Sequence, residues 1–407
     1  MITDNNFASD LNTLLNRFLT ADDILEYLEN IALDFIPQEF RLYPKENLLN
    51  KFFIDRVLSK DIRLVSDTLI TFASSKLADE KYIPFLLEFS KLALVQGENN
   101  LSYDITILLI QKIVSSNEYK KELASAYLLL AEFYLNQANW KEATKNLYTA
   151  KEIFQSIDDQ YGMARAEFLL GSMYVEKGEL ETGHYRLTSS LKIIGENGDK
   201  RLVAMIETNF AIIYSMNRDY EKAIQSYNKA LKKFEELGDD RRRAEVLVNI
   251  GMSYRKLGQS TLAIEYFEKS HDIALKHSYY PILKLCYFNK AELLFQIGRL
   301  KEASEYSQKA LDLSYQMNDK VAIADIHRIN GIIARKQKNY ILSQSYLLTS
   351  LRLNETLNDE INAAETNYEL GLLFSDMGDV PKASDHLMSA VKYYQKNKNF
   401  DALPSNG

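Results

Sequence analysis

Glycine or alanine recurs at one fixed spacing seven times in succession, at Ala131, Gly171, Ala211, Gly251, Ala291, Gly331 and Gly371. An aromatic or apolar residue follows three positions later each time: Tyr134, Tyr174, Tyr214, Tyr254, Leu294, Ala334 and Phe374. A second small column lies at Ala143, Gly183, Ala223, Ala263, Ala303, Ser343 and Ala383. A third lies at Ala150, Ser190, Ala230, Ser270, Ala310, Ser350 and Ala390. Self-similarity at one period is the mark of a solenoid, in which each unit packs only on its neighbours. It constrains the chain to present a surface.

Residues 121–400 divide into seven 40-residue units. In the unit 241–280, Ala244, Leu247, Ile250, Gly251 and Tyr254 fall at helical spacing. The break LGQS follows, with Gly258 placed to end the helix in a left-handed conformation. A second helix carries Ala263, Ile264, Phe267 and Ala274. Each unit is therefore expected to be a helix–turn–helix pair of about 16 residues per helix, or ~24 Å. Small residues let the two backbones approach, and larger neighbours fill the gaps beside them. Unit junctions carry Asp159, Asp199, Asp239, Asp319 and Asp359 as N-caps, after a stop residue such as Gly238 or Asn318. At Tyr279 the acid is missing, and Pro281 starts the helix instead.

Segments such as LVNIGMSYRKLGQSTLAIEYFEKS resemble tetratricopeptide repeats. The resemblance covers about 280 of the 407 residues. It implies an all-α, right-handed superhelical solenoid of antiparallel helix pairs. The chain departs from the usual repeat in two ways. Its unit is longer than the roughly 34 residues typical of the family, and the proline after the second helix is missing. The extra length is expected to extend the second helix by over a turn. This long form resembles the peptide-sensing regulators of Gram-positive bacteria, the kinesin light chains and the spindle-orientation adaptors of animals. All three bind extended peptides.

Residues 1–120 are less regular. Ile24–Ile36, Leu48–Leu58, Ile62–Leu77, Tyr82–Val95 and Ser102–Ser115 read as amphipathic helices, with Pro37 closing the first and Gly97 a hairpin turn. They are expected to be degenerate helix pairs capping the array, about ten pairs in all; a separate bundle is the alternative. Residues 401–407 are expected to be a tail or the truncated start of a further repeat; NFDAL, at 399–403, sits where that unit would begin. No polar capping helix follows the last unit, so Leu387, Val391 and Tyr394 are expected to be uncovered. Either the natural protein continues past Gly407, or this end pairs with a second copy as a homodimer.

Catalytic signals are poor. None of the five histidines has a second ligand at metal-binding spacing, and there is no HExxH, GxxxxGK or GxSxG. The single cysteine, Cys286, reads as a small core residue. No enzyme activity, cofactor or metal is expected. A formal charge of −7 argues against nucleic acid. No apolar run approaches the ~20 residues of a membrane span, and no secretory signal opens the chain; neither a membrane nor nucleic acid is an expected partner. One cysteine and no signal suggest the cytoplasm.

The candidate site is a peptide-binding groove. Asn209, Asn249 and Asn289 hold one position in three consecutive units. The resemblance places the first helix of each pair on the concave face and implies that such asparagines hold a ligand's backbone. An amide both donates and accepts, as a neighbouring strand does. Leftover repeat similarity is the alternative, although asparagine is a mediocre helix former. Arg165, Arg255, Lys256, Arg328, Arg335 and Lys336 fall at other inward-looking places, which favours an acidic peptide or a terminal carboxylate. The alternative is that the arginines pair with Glu245, Glu292 or Asp325 across the groove. Met252, Phe288, Phe168, Phe295 and Tyr368 are candidates for side-chain pockets or core. The expected function is a non-catalytic interaction scaffold. Two competing readings are a peptide-gated regulator and the sensor array of a larger signalling enzyme.

Overall fold

A computed structural model describes residues 6–32, 62–195 and 198–396, and every regular element among them is an α-helix. Contacts divide the chain into two compact bodies, Thr3–Ile213 and Tyr214–Gly407. The amino-terminal body holds α1 (Asn6–Phe18), α2 (Ala21–Ala32), α3 (Ile62–Lys76), α4 (Asp79–Val95), α5 (Asn99–Ile113), α6 (Lys120–Asn136), α7 (Trp140–Ser156), α8 (Gln160–Glu176), α9 (Leu180–Ile194) and most of α10 (Lys200–Met216). The carboxy-terminal body holds α11 (Tyr220–Glu236), α12 (Asp240–Lys256), α13 (Ser260–Lys276), α14 (Tyr280–Gln296), α15 (Leu300–Gln316), α16 (Lys320–Lys336), α17 (Tyr340–Thr356), α18 (Glu360–Asp376) and α19 (Val380–Lys396). Pairs α6/α7, α8/α9, α12/α13, α14/α15, α16/α17 and α18/α19 pack as antiparallel hairpins. The fold is a helical solenoid, as the period requires.

Both helices of a regular unit have 17 residues, so the second is not longer than the first. The expected lengthening of the second helix alone is therefore incorrect. Hairpin turns and unit junctions share one geometry: a C-cap, a left-handed residue and an N-cap. The left-handed residues Ala138, Asp158, Gly178, Arg218, Gly238, Gly258, Ser278, Gly298, Asn318, Lys338, Asn358 and Gly378 have φ between 53° and 79°. They recur at half the sequence period. The exception is the α9–α10 linker, where α9 stops early at Gly195.

The junction aspartates act on both sides. The Asp159 N–H donates to Phe154 O at 2.9 Å, closing α7, and its Oδ1 accepts from the Gly162 N–H at 2.8 Å, opening α8. Asp239, Asp319 and Asp359 repeat this arrangement. At Tyr279 there is no side-chain cap, and Pro281 occupies the first turn as expected. Ala138 is a left-handed residue with a Cβ and no polar group to compensate. Ala138→Gly is expected to stabilise the amino-terminal body by about 0.5–1 kcal/mol, read as a rise in the urea midpoint of its unfolding.

The first small column is set by close approach. A Cβ on Gly251 would lie 2.6 Å from the Phe267 ring, and one on Gly331 would lie 2.5 Å from Leu347 Cγ. Gly171 and Gly371 face Leu187 and Leu387 in the same way. Ala143, Ala223, Ala263 and Ala303 of the second column are fully buried.

In the amino-terminal region α4 and α5 form a hairpin around Gly97, at φ +83°. There α1 packs on α4 and α2 on α3, with the Tyr27 hydroxyl donating to Val65 O at 2.8 Å. The expected helix Leu48–Leu58, the stretch around Pro37 and the tail NFDAL lie outside the described residues. Tyr394 is buried, contrary to expectation, because it packs back on Ala364 and Ala390. Val391 is exposed and Leu387 half-buried.

Candidate functional site

First helices of consecutive pairs touch one another in each body: α4, α6 and α8 in the first, and α12, α14, α16 and α18 in the second. Second helices approach less closely. Each stack therefore bends toward its first helices, and their free sides form its inner face. Asn249 on α12 and Asn289 on α14 stand at equivalent positions of two consecutive first helices. Asn209 lies on α10 in the other body, so the run of three is divided.

The three amides differ. Asn289 is buried and its Nδ2 donates to Leu285 O at 2.9 Å, one turn back on its own helix. Asn209 does the same to Met205 O at 3.1 Å. Asn146 and Asn367, on other faces, make the same back-bond. A mid-helix asparagine thus satisfies one donor locally and keeps its carbonyl oxygen. The Asn249 side chain is half-buried and has no hydrogen bond among the described residues.

Around these amides, Met252 is exposed, while Phe288 is half-buried against the cluster of Leu294, Ala303, Ile329 and Ile333. Lys256 is exposed at the end of α12 with no ion pair among the described residues. The arginines are all matched. Arg165 pairs with Glu132 at 3.1 Å and Arg255 with Glu292. Arg328 pairs with Glu365 at 3.1 Å and lies 3.9 Å from Asp325. Arg335 pairs with Glu369 at 3.0 Å and Asp376 at 3.3 Å. Apart from the Arg328–Asp325 contact within α16, each pair links two consecutive first helices. Glu245 instead takes Arg241 and Arg242. The inner face therefore carries a ladder of ion pairs rather than a surplus of positive charge.

Burial raises the Glu369 and Glu132 carboxyls above their usual range, against the pull of Arg335 and Arg165. Burial likewise raises Asp325, opposed by Arg328. The Nε–H groups of Arg255, Arg328 and Arg335 are buried without a partner. Burial thus competes with the opposing charge at Glu369, Glu132 and Asp325.

Cys286 is buried, and burial pushes its thiol up to about 11, which keeps it protonated at neutral pH. Among the described residues no group of three His, Cys, Asp or Glu side chains is placed to hold a metal. No described helix is long and apolar enough to cross a membrane.

Residues 202–276 and 242–316 each match the tetratricopeptide-repeat family model. That stretch, residues 202–316, carries tetratricopeptide repeats. Among solved structures, this repeat protein is similar to the STAND signal-transduction ATPase with a tetratricopeptide-repeat sensor from Pyrococcus horikoshii. Identity is 17% and the TM-score 0.57, over 86% of this chain and 55% of that one. It is also similar to aspartyl phosphate phosphatase F from Bacillus subtilis, at 15% identity and TM-score 0.58, over 95% and 97% of the two chains. A Rap protein solved with Competence and Sporulation Factor matches at 15% identity and TM-score 0.59, over 96% and 98%. At these identities the likeness is one of fold. No curated protein sequence matches the chain.

The repeat protein also carries polar groups that column-by-column reading passed over. On the outer side, first helices floor the troughs between successive second helices. In one trough Glu167 of α8 is buried between Lys151 of α7 at 2.5 Å and Arg186 of α9 at 3.3 Å. Arg186 also donates to the Tyr148 hydroxyl at 2.7 Å. In the carboxy-terminal body Lys290 reaches the Tyr306 hydroxyl at 3.1 Å. His327 reaches the Tyr315 hydroxyl at 3.1 Å, and burial lowers its pKa. The available signal was the column Glu167, Glu207, Leu247, Tyr287, His327, Asn367, polar at five of six places.

Proposed function

We propose that this repeat protein is a non-catalytic scaffold that binds an extended peptide along the first helices of its carboxy-terminal body. The observation that carries the reading is the pair Asn249 and Asn289. They stand at equivalent places on adjacent first helices, one amide unbonded and the other with a spare carbonyl. Packed helices lie ~8–10 Å apart, so the two amides span about three residues of extended chain. Met252 and Phe288 supply apolar contact beside them. Since Arg255, Arg328 and Arg335 already face carboxylates, an acidic peptide group would take its charge from Lys256 or displace one rung of the ladder. The likeness of fold to a Rap protein solved with Competence and Sporulation Factor supports the same reading. A second reading, a sensor array within a signalling enzyme, draws support from the likeness to the STAND ATPase, 55% of which the chain spans.

The test is selection of peptides from a displayed random library against the purified protein, followed by fluorescence anisotropy. Asn249→Ala and Asn289→Ala are each expected to weaken the selected peptide roughly fivefold, about one hydrogen bond's worth. The double variant should weaken it roughly 25-fold, with circular dichroism unchanged. Equal binding by the double variant overturns the reading.

A further inference from the structure

The hairpin turns of the carboxy-terminal body share one edge of its stack. Four of them, at 256–262, 296–302, 336–342 and 376–382, carry an unusual balance of side chains. Every carboxylate on them is already neutralised. Glu302 binds Arg299 at 2.5 Å, Asp376 binds Arg335 at 3.3 Å, and Asp379 binds Lys382 at 2.7 Å. Lys256, Lys301, Lys336 and Lys338 are exposed and have no ion pair among the described residues. In a chain of net charge −7 this edge is locally positive.

The same turns project aliphatic side chains into solvent. Ile341 is 84% exposed and Val380 70% exposed, each within the first turn of a second helix. Ile297, Leu342 and Met377 are also exposed beside them. Exposed apolar groups that cluster within a polar rim mark an interaction surface. The free cations are all lysines, which protein interfaces deplete and which anionic membrane surfaces attract. A row of turn tips separated by gaps offers no continuous apolar face to a partner helix. Single aliphatic residues on tips can instead enter the headgroup region of a bilayer.

We propose that this edge is a peripheral docking surface for an anionic lipid bilayer, with the four lysines at the headgroups and Ile341 and Val380 inserted between them. The contact is electrostatic at long range and apolar at short range. It leaves Asn249 and Asn289 free, and Lys256 is the one residue it shares with the peptide reading.

The test is co-sedimentation of the full chain with vesicles of phosphatidylcholine alone and of equal parts phosphatidylcholine and phosphatidylglycerol. Binding is expected to the anionic vesicles only, and to fall with added salt. Each lysine near such a surface is worth roughly a fivefold gain in partitioning, so Lys301→Glu with Lys338→Glu should lose roughly 25-fold or more. Ile341→Ser, at a largely exposed side chain, should lower binding without altering the circular dichroism spectrum. Asn249→Ala with Asn289→Ala should sediment like the wild type. A wild-type protein that stays in the supernatant at low salt overturns the proposal and leaves the edge to an acidic protein partner. Lysine variants that sediment as well as the wild type overturn it too.

Discussion

Phe267→Ala is expected to destabilise the carboxy-terminal body by about 3–5 kcal/mol, the range for a large aromatic removed from a sealed core. Phe267 is fully buried on α13 and its ring lies over Gly251 of α12. The partner substitution makes the test specific. Gly251→Ala alone places a methyl 2.6 Å from that ring. Such overpacking is expected to cost about 1–3 kcal/mol, more than alanine gains as a helix former. In the Phe267→Ala background the obstruction is gone. Gly251→Ala should then stabilise by about 0.5–1 kcal/mol, because only the helix preference is left. A change of sign between the two backgrounds, measured by urea denaturation, shows that the small-residue column is a steric device. The same sign in both would mean that glycine stands there for another reason.

Glu167→Ala should cost about 3 kcal/mol, since it strands two cations in a partly buried trough. The Glu167 carboxylate is almost completely buried and binds Lys151 and Arg186, from two different helices. A buried ionic cluster is seldom more stable than a well-packed apolar one of similar size. This chain contains such a replacement two repeats later, where the corresponding residues are Leu231, Leu247 and Tyr266. The triple variant Lys151→Leu, Glu167→Leu, Arg186→Tyr is therefore expected to recover most of the loss. If it is as unstable as Glu167→Ala, the trough depends on charge in a way that packing does not replace.

The period made the hairpins legible because Gly, Ala and Asp each had a single local task. Asp159 shows why the signal is strong: one residue closes a helix with its N–H and opens the next with its carboxylate. The half-period of the turns was not legible. Ala138, Arg218, Ser278 and Lys338 take the left-handed conformation with no side-chain preference for it, because the flanking helix ends impose it. The groove arginines were visible, and Glu292 and Asp325 were among the partners expected for them, but Glu132, Glu365, Glu369 and Asp376 were not, because they lie off the column. Arg255 meets Glu292 at a separation of 37 residues, and Arg335 meets Glu369 at 34. Neighbouring first helices cross with an offset, so comparison at the full period aligns residues that do not touch. Exposure at the turn tips, as at Ile341, depends on which side of a helix start faces solvent, and the sequence pattern does not carry that.

The central claim is that the first-helix face of the carboxy-terminal body holds a peptide. Amide hydrogen exchange of the protein with and without a selected peptide tests it most directly. The account predicts new protection concentrated on α12 and α14 around Asn249 and Asn289, extending to α16, with α13 and α15 changed little. Protection confined to the second helices or the hairpin turns, with α12 and α14 unchanged, would contradict it.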